Sequence, residues 1–247
     1  MRYMNLFFAS SFAFFASYAF AYNFTPTKQE FNAWSVRCQK LYLSTGVGRR
    51  SEFRGRYSSA KVEQERLLSN LRHGGGWHYC TSIIYIKRAK LETVNEDVRN
   101  YNLKKAMNEI NYTVSRINKR DPWYAEIGVT LGNLFKALGL YEKSAIAYNE
   151  VIESFPTYHQ AYLGQSLLYR KMGNTNKAIA ILENLGNENI TKSVEVSYFL
   201  GIYYVEEANI EKANYYANIA YSLGYPLPGL KIKLKQLKQL KTKLNNK

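Results

Sequence analysis

Only two cysteines, three histidines and five prolines occur in 247 residues, and 19 Asp and Glu face 34 Lys and Arg. Each shortage removes a class of chemistry. Cys38 and Cys80 form no Cys-x2-Cys pair, and no His-x3-His spacing joins them. A zinc or copper centre would need four ligands gathered by the fold alone. No metal or cofactor is therefore expected. Cys80 is a poor candidate nucleophile, because His78, two residues away, points to a different face of any helix that carries both. His73 and His159 stand in no cysteine-hydrolase context. The few acids are scattered, whereas glycoside cleavage needs two carboxyls converging on one cleft. Neither the 46–51 run Gly-Val-Gly-Arg-Arg-Ser nor the glycines at 74–76 follow a strand, as a phosphate-cradling loop would. The sequence predicts no enzyme.

Long apolar runs are also scarce. The main one spans 6–16, after a single early cation at Arg2, and leads to Ala19-Phe20-Ala21. Small residues at those spacings mark a secretory signal peptide over 1–21, cleaved before Tyr22. The run is short for a membrane span, and no cysteine follows the cut to carry a lipid. The chain is accordingly expected to be exported, to the periplasm of a Gram-negative bacterium or beyond, where nucleic acid is not an expected partner. In an oxidising compartment an even pair of cysteines reads as a Cys38–Cys80 disulfide. Such a bridge would close a loop of about 40 residues, worth ~3–4 kcal/mol.

What the chain has in quantity is rings and repeats. Aromatic residues make up 15% of it, 22 of them tyrosines, so much of its apolar surface carries a polar handle. Leu131-Gly132 is followed by Phe135, Gly139, Ser144, Tyr148 and Pro156. One period on stand Ser166, Tyr169, Gly173, Ala178 and Leu182, and after another Leu200-Gly201, Tyr204, Ala208, Ala213, Ala217 and Ala220. A small residue, an aromatic and a turn residue recurring about every 34 positions resemble the tetratricopeptide repeat. The resemblance implies an all-α solenoid of helical hairpins. Three units are expected within 121–227, at about 125–158, 159–193 and 194–227. Small residues would sit where helices cross, large ones between units, with Gly139, Gly173 and Asn209 in the turns.

Upstream, 77–120 reads as a degenerate hairpin, with Ile83, Ile84 and Ile86 on one helix and Leu103, Ala106, Ile110 and Val114 on another. Segment 22–76 reads as an N-terminal cap: Phe31, Trp34, Cys38, Leu41 and Tyr42 form a helical stripe. An irregular Gly- and Arg-rich loop follows, and then a short helix near 61–71. At the other end, 228–247 reads as a basic capping helix, since a solenoid must cover its last apolar face.

Candidate binding residues come from the repeat resemblance, which implies a ligand groove along the first helix of each pair. In the first unit the implied positions are Glu126, Val129, Asn133, Lys136 and Ala137. In the second they are Gln160, Leu163, Leu167, Arg170 and Lys171, and in the third Glu195, Tyr198, Ile202, Val205 and Glu206. Asn133, Lys136, Arg170, Lys171 and Tyr198 are the groove residues expected to meet a peptide or protein tail. The carboxylate clamp of chaperone-binding relatives is not carried over, because only Asn133 fits it. The implied function is a non-enzymatic scaffold, with cell-envelope or surface-polymer assembly as its setting. A second reading has Arg49, Arg50, Arg54 and Arg56, with Lys235, Lys238 and Lys241, holding anionic lipid or polysaccharide. The stretch from Trp34 and Cys38 to Trp77-His78-Tyr79-Cys80 also resembles a group of exported bacterial tetratricopeptide proteins, a resemblance that implies architecture and no activity.

Overall fold

A computed structural model describes residues 24–56, 70–91, 93 and 95–245, all helix, turn and extended connection, with no strand among them. The 1–21 leader, most of the helix expected near 61–71 and the side chain of Arg56 lie outside the described residues.

Three short helices open the described chain: α1 (Lys28–Ala33), α2 (Val36–Leu43) and α3 (Gly46–Arg50). Each starts on a hydroxyl cap. Thr27 and Glu30 complete a reciprocal capping box, Ser35 accepts from Cys38 N–H, and Thr45 accepts from Gly48 N–H. Segment 44–56, expected to be an irregular loop, is thus an ordered helical turn followed by a 3-10 turn (Arg54–Arg56). The reasons are local. Phe53 stacks on Phe31 at 4.2 Å between ring centres and is fully buried. Gly48 lies so close to the Tyr42 carbonyl that an added Cβ would fall 2.1 Å from its oxygen.

The hairpins follow. The first pairs α4 (Gly76–Arg88) with α5 (Glu96–Val114). The next pairs α6 (Pro122–Ala137) with α7 (Tyr141–Ser154), and Asp121 caps α6 just ahead of Pro122, where a missing N–H does no harm. Then come α8 (His159–Lys171) with α9 (Thr175–Glu183), a single turn α10 (Asn187–Ile190), and α11 (Val194–Glu206) with α12 (Ile210–Ser222). Helix α13 (Gly229–Asn245) ends the array.

Two core clusters run along the solenoid, one from Phe24 to Ala161 and one from Tyr162 to Leu234. Close crossings set the spacing of the helices. Tyr148 of α7 is fully buried between two glycines: a Cβ on Gly132 of α6 would stand 2.6 Å from its ring, and one on Gly164 of α8 2.4 Å. Its hydroxyl donates to Asn133 Oδ1 at 2.8 Å. The turns inside the first two units use left-handed Gly139 and Gly173. In the third unit the left-handed residue is Ala208, at φ 55°, rather than Asn209. Asn209 instead caps α12 by accepting from Lys212 N–H, as Asn174 caps α9, so Ala208 stands where Gly173 stands in the unit before. An alanine there costs ~1–2 kcal/mol relative to ordinary backbone.

The N-terminal helices are locked onto the hairpins. A Cys38–Cys80 disulfide joins α2 to α4, and both cysteines are buried. Trp34 Nε1–H donates to the Cys80 carbonyl at 3.1 Å. Arg88 grips the Glu30 carboxylate with two donors, at 2.6 and 2.8 Å. His78, which sequence reasoning leaves without a role, sits against Glu109 of α5 with Nδ1 2.7 Å from Oε2. Its ring is stacked on Tyr112 and close to Trp77, so it fastens the two helices of the first hairpin. The 74–80 stretch is therefore a clasp.

Candidate binding groove

Helices α4, α6 and α8 lie side by side and enclose an open groove of about 750 Å3. Helix α4 contributes Tyr79, Ile83, Ile86 and Lys87, with Lys90 just past its end. From α6 come Glu126, Thr130, Asn133, Lys136 and Ala137, and from α8 Leu167 and Lys171. The isoleucines, Ala137 and Leu167 provide apolar wall, while Lys87, Lys90, Lys136 and Lys171 provide four cations.

Glu126 is the one carboxylate in the lining, and it is already engaged. Arg37 donates to its Oε1 at 2.6 Å and the Tyr79 hydroxyl donates to the same oxygen at 2.7 Å. Arg37 also stacks over Trp123, 4.2 Å from the ring centre. Burial and the neighbouring Glu126 push the Tyr79 phenol well above its usual value, so it stays a donor. The groove's net field is therefore positive. Lys136 feels this most: burial, then the charges of Lys171 and Lys90, bring its pKa down to about 8. Among the described residues its one acceptor is the Gly164 carbonyl, at 3.5 Å, the outer limit of a hydrogen bond. Among the described residues none of the four lysines has an ion-pair partner. Asn133 Oδ1 accepts a hydrogen bond from the Tyr148 hydroxyl, and among the described residues no acceptor meets its amide N–H groups.

The five sequence-derived groove residues separate. Asn133, Lys136 and Lys171 come together in this groove. Arg170 does not join them: it forks onto Glu206, with its Nε 3.1 Å from Oε2, and so bridges α8 to α11. Glu206 holds its guanidinium charged. Tyr198 stacks on Tyr225 at 3.9 Å, beside the start of α13. Arg49 donates to the Ser44 carbonyl at 2.6 Å, and Arg50 and Arg54 are exposed on the N-terminal cap. Lys235, Lys238 and Lys241 are exposed on α13, with Lys238 donating to Asn214 Oδ1.

Sequence reasoning missed the α4 wall: Tyr79, Ile83, Ile86, Lys87 and Lys90. The signal was present, since Tyr79, Ile83, Ile86 and Lys90 follow the i, i+4, i+7, i+11 rhythm of Glu126, Thr130, Asn133 and Ala137 on α6. A longer loop between α4 and α5 hides the register, because it spoils the repeat period.

Family comparison agrees with this architecture. Models of the tetratricopeptide repeat match residues 125–158 and 160–189. No curated protein matches the sequence. Residues 125–189 thus carry tetratricopeptide repeats, set within an all-α helical solenoid. Such repeats generally build non-catalytic scaffolds that bind protein or peptide partners.

Proposed function

We propose that this protein is a non-enzymatic exported scaffold whose α4–α6–α8 groove holds an acidic segment of a partner protein. One observation carries the reading: four lysines without an ion-pair partner among the described residues border an apolar-walled groove, and the one carboxylate among its described lining residues is neutralised from within. A strand or coil bearing Asp, Glu or a terminal carboxylate would seat its charges among Lys90, Lys136 and Lys171. Its apolar side chains would rest on Ile83, Ile86 and Leu167. The buried disulfide and the 1–21 leader pattern support export to an oxidising compartment such as the periplasm, with envelope or surface-polymer assembly as the setting. N-terminal sequencing of the protein recovered from bacterial cells should begin at Tyr22; a chain that still starts at Met1 in that fraction would contradict cleavage.

Binding is testable with fluorescent peptides rich in Asp and Glu, set against the same peptides with Asn and Gln. Anisotropy should show acidic peptides binding more tightly, and K90Q/K136Q/K171Q should weaken them by roughly tenfold or more. The effect should also depend on pH. The free protein gives up the Lys136 proton near pH 8, whereas a bound carboxylate raises that pKa. Affinity should then fall roughly several-fold from pH 7 to pH 9 and flatten in the K136Q variant. Equal binding of acidic and neutral peptides would remove the basis of the proposal.

A further inference from the structure

Helix α13 is buried against the array at its start and exposed at its end. Its apolar stripe runs through Leu230, Leu234, Leu237, Leu240 and Leu244, steps of three and four that keep one face. The first two are buried. Leu230 fills the notch left by Gly201, where an added Cβ would meet it at 2.5 Å, and Leu234 belongs to the second core cluster. Past Lys238, which is hydrogen-bonded to Asn214, the leucine stripe is no longer covered by the repeats. Leu240 is 59% exposed and Leu244 73% exposed, so the same face ends with nothing on it. The helix carries six lysines and no acid. Lys241 shares a cleft with Glu207 and Glu211, which partly answer its charge. Lys235 and Lys243 have no ion-pair partner among the described residues.

We propose that this projecting end of α13 docks on an anionic lipid surface. Leu240 and Leu244 enter the boundary between headgroups and acyl chains, while lysines on either side of them reach lipid phosphates. Charge decides among the occupants. A second copy of the helix would set lysine against lysine, and a soluble polyanion would satisfy the lysines but leave both leucines in water. A phosphate-bearing bilayer answers both features. The contact is peripheral, because no helix among the described residues is long and apolar enough to cross a membrane.

The test is sedimentation of the full chain with vesicles of phosphatidylcholine alone and of phosphatidylcholine mixed with phosphatidylglycerol. Binding is expected only to the mixed vesicles, with release by added salt. L240N/L244N should lower the partition about tenfold or more, and so should K233Q/K243Q, at exposed lysines on or beside the leucine face. Both variants should melt like the parent, since neither touches a packed side chain. Equal binding to neutral vesicles would overturn the proposal. So would full binding by L240N/L244N, or capture by dextran sulfate that rivals the vesicles and ignores the leucine change. None of these results depends on the peptide groove.

Discussion

Replacing both cysteines in C38A/C80A should lower stability by about 4 kcal/mol, the chain-entropy value for a loop of this size. The cysteines are 42 residues apart in sequence, and their bridge holds α2 against α4 inside the core. For a chain of this length the melting temperature should drop on the order of 10 °C. The loss should also be local. Residues 24–56 should exchange amide hydrogens and admit protease well before the repeats do, because the ties left include only the Arg88–Glu30 and Arg37–Glu126 pairs, the Trp34 hydrogen bond to the backbone carbonyl at position 80 and buried aromatic contacts. The same pattern should appear in the parent protein after reduction. An unchanged melting temperature on reduction would show that packing alone holds the cap.

Tyr148→Ala should be of similar size, about 3–5 kcal/mol. The ring is wedged between Gly132 and Gly164, and neither glycine has a side chain to lean into the space left behind. Solenoid stability resides largely in contacts between neighbouring units, and this ring is one contact that α6, α7 and α8 share. Urea unfolding should therefore lose its single transition, with the C-terminal units melting apart from the N-terminal ones. Tyr148→Phe keeps the wedge and drops only the hydrogen bond to Asn133, so about 1 kcal/mol is expected. Equal losses in the two variants would mean that the hydroxyl, and not the ring, couples the units.

Much of the fold is legible in the amino-acid pattern, for definite reasons. Gly132, Gly139, Tyr148 and Pro156 each do a job that few residue types can do, and their spacing repeats. Features that depend on distant pairs are not legible. His78 finds its partner in Glu109, 31 residues on, across the hairpin. Segment 44–56 looks loop-like from its glycines and arginines, yet three hydroxyls (Thr45, Ser44 and Ser51) and buried Phe53 tie it into short helical turns. Turn position is equally local: Asn209 is the natural left-handed residue by type, but it holds the capping place that Asn174 holds one unit earlier, and Ala208 holds the left-handed place of Gly173. For the groove, resemblance to the repeat leads to Asn133, Lys136 and Lys171 on α6 and α8. It also nominates Arg170, which nothing before Glu206 in the chain marks as already paired. The opposite wall falls outside any recognisable repeat.

That wall has a consequence for how the molecule can be divided. Helix α4 is held in place by Cys80 and Arg88, and Glu126 on the facing helix is held by Arg37, a residue of the N-terminal cap. A fragment trimmed to 121–227 would keep its repeats but lose Ile83, Ile86, Lys87 and Lys90, and it would release a bare carboxylate into the middle of the remaining surface. The binding surface is thus a joint property of repeats and cap, and evolution could retune it by altering a segment that no repeat alignment would include.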